Sequence, residues 1–270
     1  MSFESMALGP LIGSEVFATP EQLLQPGVGP ALRSLLVERG VLVFREINLS
    51  DEQQVALAAS MGALREEGEK NIFKITLDQN ANERAEYLKG SWLWHIDGTH
   101  DSVPVFASLL SGRVLSATGG QTEFANSYAA YEALSPQMKE RIGGLRVVHS
   151  FKTSMRNAGI APTEANVAYW NSIPDRTHNL VWTHASGRKS LVIGCHADHV
   201  EGMDPAESAA LLQELLTWAT RPEFVYRHEW TPGDLLIWDN TGVLHRAEPY
   251  PLDSGREMHR TTLLGEEAFS

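Results

Sequence analysis

Residues 223–247 read EFVYRHEWTPGDLLIWDNTGVLHRA. Two runs of β-branched, aliphatic and aromatic residues, EFVYRHEW (223–230) and DLLIWDN (234–240), are separated by turn residues and predict adjacent strands. A second turn, Asp239-Asn240-Thr241-Gly242, follows, and the next short strand carries His245 back toward the same end of the stack. Working outward, the same kind of run recurs at VLVF (41–44), NIFKITL (71–77), VFASLL (105–110), QTEFA (121–125), LRVVHSF (145–151), KSLVIGC (189–195) and RTTLLG (260–265). Helices are marked by their starts: Thr19-Pro20-Glu21-Gln22, Ser50-Asp51-Glu52-Gln53 and Asp204-Pro205-Ala206-Glu207 each open with a capping side chain. A further helix is predicted over SYAAYEALSPQMKERIG, broken before Pro136. Many short strands, with helices early and inserted, predict a mainly β chain with flanking helices, a β-sandwich or jelly roll.

The 270 residues suffice for one large domain, and neither a repeat nor a long Pro/Gly/Ser linker divides them. We expect a single domain over 1–270, with lid loops near 65–90 and 153–179, two polar or turn-rich stretches. A net charge of -12, dispersed along the chain, argues against a nucleic-acid partner but leaves room for a small anion at a local arginine. Cys195 is the single cysteine, so no internal disulfide is possible. With no basic leader and no apolar run of membrane-spanning length, the expectation is a cytoplasmic protein without membrane attachment.

Chemistry gathers at GSWLWHIDGTHDS, residues 90–102. On a strand, residues two apart share a face, so His95 and Asp97 project together while Ile96 points into packing. An imidazole and a carboxylate are two ligands for a divalent metal, and His245 is a candidate third. Two histidines and one carboxylate on one face of an octahedral ion leave three positions open, which suits Fe(II) enzymes that bind a bidentate co-substrate and O2. Taken singly, each signal has a plainer reading: a His-x-Asp pair is common, and a lone histidine near a strand more often serves packing. In the last strand Arg256, Met258, Arg260 and Thr262 alternate onto one face, which by itself could be a solvated surface. Upstream, Thr122 follows the Gly119-Gly120 turn, and a hydroxyl beside a guanidinium makes a carboxylate receptor.

Taken together, WHIDGTH (94–100), ATGGQTEFANSYAAYEAL (117–134), PEFVYRHEWTPGDLLIWDNTGVLHRA (222–247) and REMHRTTLLGE (256–266), in this order and spacing, are highly specific. The sequence resembles the taurine dioxygenase and 2,4-dichlorophenoxyacetate dioxygenase family of Fe(II)/2-oxoglutarate-dependent oxygenases, from about residue 90 onward and more weakly at GVLVFRE (40–46). The resemblance implies a double-stranded β-helix and His95, Asp97 and His245 as both catalytic residues and metal ligands. It implies Thr122 and Arg256 as anchors for 2-oxoglutarate and Arg260 as a substrate contact. The expected reaction uses Fe(II), 2-oxoglutarate and O2 to oxidise a substrate C–H bond, with release of succinate and CO2. Relatives of this kind are often dimers or tetramers, which makes a homo-oligomer an expectation of the resemblance.

The expected partner is a small organic molecule. The taurine enzyme's His-x-x-Tyr element has no counterpart in MGALREEGEKNIFKI (61–75), so taurine is disfavoured. Trp92, Trp94, Met155, Tyr169 and Trp170 could line a larger apolar pocket, although core packing is the plainer role for the tryptophans. An apolar or aromatic carboxylate fits best, with Trp92 and Arg260 as substrate-binding residues. Two alternatives are a metal- and 2-oxoglutarate-binding sensor without turnover and a metal-dependent hydrolase. Gly194-Cys195-His196-Ala197-Asp198-His199 looks like a hydrolase metal loop, but Gly194 stands where its first histidine belongs. We expect His196, Asp198 and His199 on a loop near the cavity mouth.

Overall fold

The computed structural model describes residues 3–78 and 85–269. Part of the predicted 65–90 lid, residues 79–84, lies outside them. In chain order the strands are β1 (Glu4–Ala7), β2 (Ser14–Phe17), β3 (Val41–Phe44), β4 (Phe73–Thr76), β5 (Ala107–Val114), β6 (Thr122–Asn126), β7 (Arg146–His149) and β8 (Arg176–Asn179). They continue with β9 (Val181–Thr183), β10 (Lys189–Leu191), β11 (Ala197–Val200), β12 (Val225–His228), β13 (Leu235–Asp239), β14 (Val243–Ala247) and β15 (Glu257–Leu263). The helices are α1 (Pro20–Leu23), α2 (Val28–Arg39), α3 (Asp51–Met61), α4 (Ser127–Glu132), α5 (Pro136–Ile142), α6 (Phe151–Asn157), α7 (Glu164–Ser172) and α8 (Pro205–Ala219).

The large sheet runs β1-β2-β3-β13-β5-β15-β4, and a smaller one runs β12-β6-β14. Period-two alternation explains how they pack. From the large sheet, Leu42, Phe44, Leu235 and Ile237 join Leu32, Leu36 and Leu57 of α2 and α3 in one cluster. The intervening Val41, Val43, Leu236 and Trp238 join Phe124 and Val243 of the small sheet in another. Strands buried on both faces read as continuous apolar runs, which is why VLVF and LLIW carry no polar alternation. Two sheets closed over a shared core, with α2 and α3 outside, form the double-stranded β-helix.

The expected capping boxes at Thr19 and Ser50 form, each with its reciprocal glutamine bond. The 153–179 stretch differs from its expectation. It is not a loop: it carries most of α6, all of α7 and β8, with Thr163 capping α7. These helices are short, and Met155 and Trp170, with Ile160 between the helices, form a separate small cluster against Tyr87 and Phe151. That packing gives them a core of their own, which composition alone does not reveal. The run 189–195 also ends early as a strand, at Leu191, where the Ser127 hydroxyl takes both backbone groups of Leu191 (2.7 and 2.9 Å).

Candidate metal centre and substrate cavity

The turn at 239–242 builds the centre. The Asp239 carboxylate accepts from the Thr241 amide (2.9 Å) and hydroxyl (2.6 Å), closing an Asx-type turn. A Cβ at Gly242 would lie 1.6 Å from Cε2 of Tyr128, so only glycine lets β14 start there. From this turn β14 runs back along β6, with His245 opposite Phe124 and Ala247 opposite Thr122.

His95 lies on a single antiparallel bridge to His245, closed by two backbone hydrogen bonds (3.1 and 3.0 Å). The next ligand position, Asp97, is clamped by Asn240. The Asp97 amide donates to Asn240 Oδ1 (2.9 Å), and Asn240 Nδ2 donates to the carbonyls of Asp97 (2.8 Å) and Val105 (3.2 Å). Ile96 between them is buried in the core, as the period-two reading expects.

His95, Asp97 and His245 thus offer three ligand atoms within 4.8 Å of one another. His95 Nε2 is 3.6 Å from one Asp97 oxygen and His245 Nε2 is 3.7 Å from the other. Those gaps are too long for hydrogen bonds and suit a shared cation instead. His95 Nδ1 lies 2.7 Å from the Leu93 carbonyl; since a carbonyl can only accept, Nδ1 carries the proton and Nε2 presents its lone pair to the centre. Burial alone would raise the Asp97 pKa, but Arg260, followed by His245 and His95, overcomes it and brings the carboxyl down to about 2. Burial holds His245 neutral, down to about 3. A carboxylate and two imidazole nitrogens are the donor set a divalent transition metal needs.

Beside the triad is a cavity of about 250 Å³. Tyr87, Phe151 and Met155 form its aromatic and apolar wall, with His100 beside them, and Arg260 is the one Lys or Arg among its described lining residues. Tyr87 stacks on Tyr169 (5.5 Å between ring centres), and both meet Phe151 edge-on. A larger groove of about 840 Å³ runs between α3 and residues 68–74, but it lies away from the triad and has no comparable ligand set among the described residues.

Arg260 sits between two acids: one terminal nitrogen is 3.3 Å from Asp97 Oδ2 and the other 3.3 Å from Glu67 Oε2. Glu67 also accepts from the Thr262 hydroxyl. Sequence reasoning gave Glu67 no role, because its partners lie almost two hundred residues downstream. Thr122 and Arg256 are both buried. Thr122 accepts from Trp230 Nε1 (3.0 Å), and Arg256 donates to the Gly120 carbonyl (3.2 Å) under the Tyr250 ring. Trp230 and Arg256 line one cavity of about 200 Å³, and Thr122 is tied to its wall through Trp230. Arg256 precedes β15, and a bulge at Glu257/Met258 interrupts the strict alternation expected from 256 to 262.

Trp92 is placed differently from its expectation. It does not line the 250 Å³ cavity but packs edge-on against Tyr250 (5.9 Å), on the Arg256 side. Of the other apolar candidates, Met155 reaches the cavity, Tyr169 supports Tyr87 from behind, and Trp94 and Trp170 are core residues. Asn240 was read from the sequence only as a turn former, and its clamp on Asp97 spans 143 residues.

The family model described as the taurine catabolism dioxygenase TauD, TfdA family matches residues 4–262. The chain belongs to this family. It is 39% identical over 254 residues to the alpha-ketoglutarate-dependent 2,4-dichlorophenoxyacetate dioxygenase of Cupriavidus pinatubonensis, covering 87% of this chain and 88% of the relative. It is 35% identical to the (S)-phenoxypropionate/alpha-ketoglutarate-dioxygenase of Sphingobium herbicidovorans, over 88% of this chain and 86% of the relative. Among solved structures, AAD-2 in complex with Mn(II) and N-oxalylglycine superimposes with a TM-score of 0.87 at 33% identity, covering 100% of both chains. The protein is an Fe(II)- and 2-oxoglutarate-dependent dioxygenase acting on a small molecule. No helix among the described residues is long and apolar enough to cross a membrane.

Proposed function

We propose that this TauD/TfdA-family dioxygenase hydroxylates a C–H bond of a small aromatic carboxylate of the aryloxyalkanoate kind. The observation that carries the reading is the aromatic cavity lying against the His-Asp-His triad, with a single Lys or Arg among its described lining residues. The phenoxy-acid enzymes among its relatives support the same class.

In this reading His95, Asp97 and His245 hold the iron, and Thr122 and Arg256 anchor the far carboxylate of 2-oxoglutarate. The bound iron and 2-oxoglutarate supply oxidising power from O2, with succinate and CO2 as co-products. The chain's own residues supply geometry and charge. Leu93 and the β14 backbone orient the two imidazoles. Asn240 fixes the Asp97 main chain, while Arg260 keeps the Asp97 carboxylate ionised. Tyr87, Phe151 and Met155 exclude water from the cavity and receive the substrate ring. Arg260 faces the acid group of the substrate while Glu67 steadies it from its other terminal nitrogen. No observation favours the sensor or hydrolase alternative.

The test is succinate release from 2-oxoglutarate with a panel of phenoxyacetates, phenoxypropionates, alkyl sulfates and alkyl sulfonates. Faster substrate-dependent release with the phenoxy acids is expected. Stimulation confined to sulfates or sulfonates would sink the aryloxy reading.

A further inference from the structure

The string Gly194-Cys195-His196, set aside above as a false metal loop, meets the iron strand directly. The triad strand has four backbone groups tied by β14 and Asn240: both those of His95 and both those of Asp97. Two neighbouring groups are completed by the 194–196 loop. The Trp94 carbonyl accepts from the Cys195 amide (2.8 Å), and the Ile96 amide donates to His196 Nε2 (3.2 Å). A Cβ on Gly194 would lie 2.8 Å from the Trp94 carbonyl oxygen and 3.0 Å from His95 Cα, at a φ of +142°. Glycine stands where a metal-loop histidine would be because the loop presses against the ligand strand.

His196 lines the 250 Å³ cavity, as the sequence suggested, but it is buried in its wall and both ring nitrogens are engaged. A backbone amide can only donate, so His196 Nε2 holds a lone pair and the proton of the neutral ring sits on Nδ1. That Nδ1–H points at His149 Nδ1, 2.8 Å away, which must accept, leaving the His149 proton on Nε2. The His149 ring in turn packs 5.3 Å from that of His178, whose Nε2–H donates to the Thr99 carbonyl (2.8 Å). Three buried imidazoles thus brace the segment at residues 96 and 99 without bringing a charge beside the metal.

We propose that His196, with its tautomer set by His149, is a positioning residue of the iron centre. It fixes the Ile96 amide and through it the relative placement of His95 and Asp97. The inference rests on the reading of His95 and Asp97 as iron ligands.

The test is titration of the substrate-free, metal-free enzyme with Co(II), followed by its d–d absorption, for the parent, His196→Phe, His196→Gln and His95→Ala. His196→Phe removes the acceptor and is expected to weaken Co(II) binding about 10- to 100-fold, the range for groups supporting a ligand. His196→Gln, whose Oε1 can accept the Ile96 amide, should stay close to the parent. Parent-like Co(II) affinity in folded His196→Phe, with only a raised substrate KM, would overturn the proposal. Equal Co(II) binding by the parent and His95→Ala would instead overturn the triad reading, and the brace with it. Ring nitrogen shifts of the parent give a test independent of how the variants fold. The proposal requires His196 protonated on Nδ1 and His149 on Nε2, and a His196 ring protonated on Nε2 contradicts it.

Discussion

The two sides of the site are built differently. The metal side is held by backbone: His95 and His245 share a bridge, Asn240 grips Asp97, and the 194–196 loop takes the groups left over. The wall facing it is held by side chains: Tyr87 stacks on Tyr169 of α7 and both meet Phe151 of α6 edge-on, outside both main sheets. A ligand set tied through main-chain hydrogen bonds cannot shift without breaking several at once. An aromatic wall on short helices can be repacked one residue at a time. On the function proposed above, chemistry would reside on the rigid part and substrate choice on the adaptable one.

The largest effect that would break this contrast is at Asn240. Asn240→Ala leaves the Asp97 amide and the Asp97 and Val105 carbonyls without their partner, at about 1–3 kcal/mol for each buried group. We expect a lower melting temperature and Fe(II) affinity reduced about 10- to 100-fold, read by calorimetry and metal titration. Unchanged metal affinity would mean that the clamp is dispensable. On the opposite wall, Phe151→Ala should raise the substrate KM by about 2- to 13-fold, the equivalent of about 0.5–1.5 kcal/mol for an aromatic contact, and leave Fe(II) affinity untouched. Loss of metal binding in that variant would erase the division between the two sides.

Acid sharpens the comparison through buried histidines. Burial lowers the pKa of His149 to about 3 and that of His184 to about 4. In the unfolded chain both protonate near 6.5. Between those values the unfolded state binds more protons, so stability falls as pH falls, by about 1.4 kcal/mol per unit for each group. Melting temperatures should therefore drop steeply from pH 6.5 toward 4.5, and His184→Gln should flatten that slope; an unchanged slope would remove His184 from the account. The smallest effect concerns Cys195. Burial, only partly offset by a Ser154 hydrogen bond, raises its thiol pKa to about 11. Iodoacetamide at pH 7.5 should leave it unmodified over the time that labels a free thiol, as intact-mass measurement would show. Rapid labelling would mean that the half-buried thiol reacts through the cavity it lines despite that shift.

These outcomes bear on what a sequence can reveal. The grouping of His95, Asp97 and His245 was legible because period two and a turn are local patterns, and β3 and β13 because buried strands read as apolar runs. Asn240, His196 and His149 were not legible, since their partners are main-chain groups or rings far along the chain. Trp92 looked like a pocket residue from its place before His95, yet its ring turns to Tyr250. The helices α6 and α7 were read as loop because their few apolar residues face a small private cluster instead of either main core. Arg260 was read as a substrate contact, but its pairing with Asp97 and Glu67 was not legible, because those acids lie far upstream.

The most direct measurement is an anaerobic titration of the metal-free enzyme with Fe(II) and 2-oxoglutarate, followed by the visible metal-to-ligand charge-transfer band, in the parent, His95→Ala and Arg256→Ala. The account predicts a band in the parent, no band in His95→Ala, and a band in Arg256→Ala only at much higher 2-oxoglutarate concentration. A folded parent that shows no band, or a His95→Ala variant that keeps it, would contradict the claim that this triad is the iron centre.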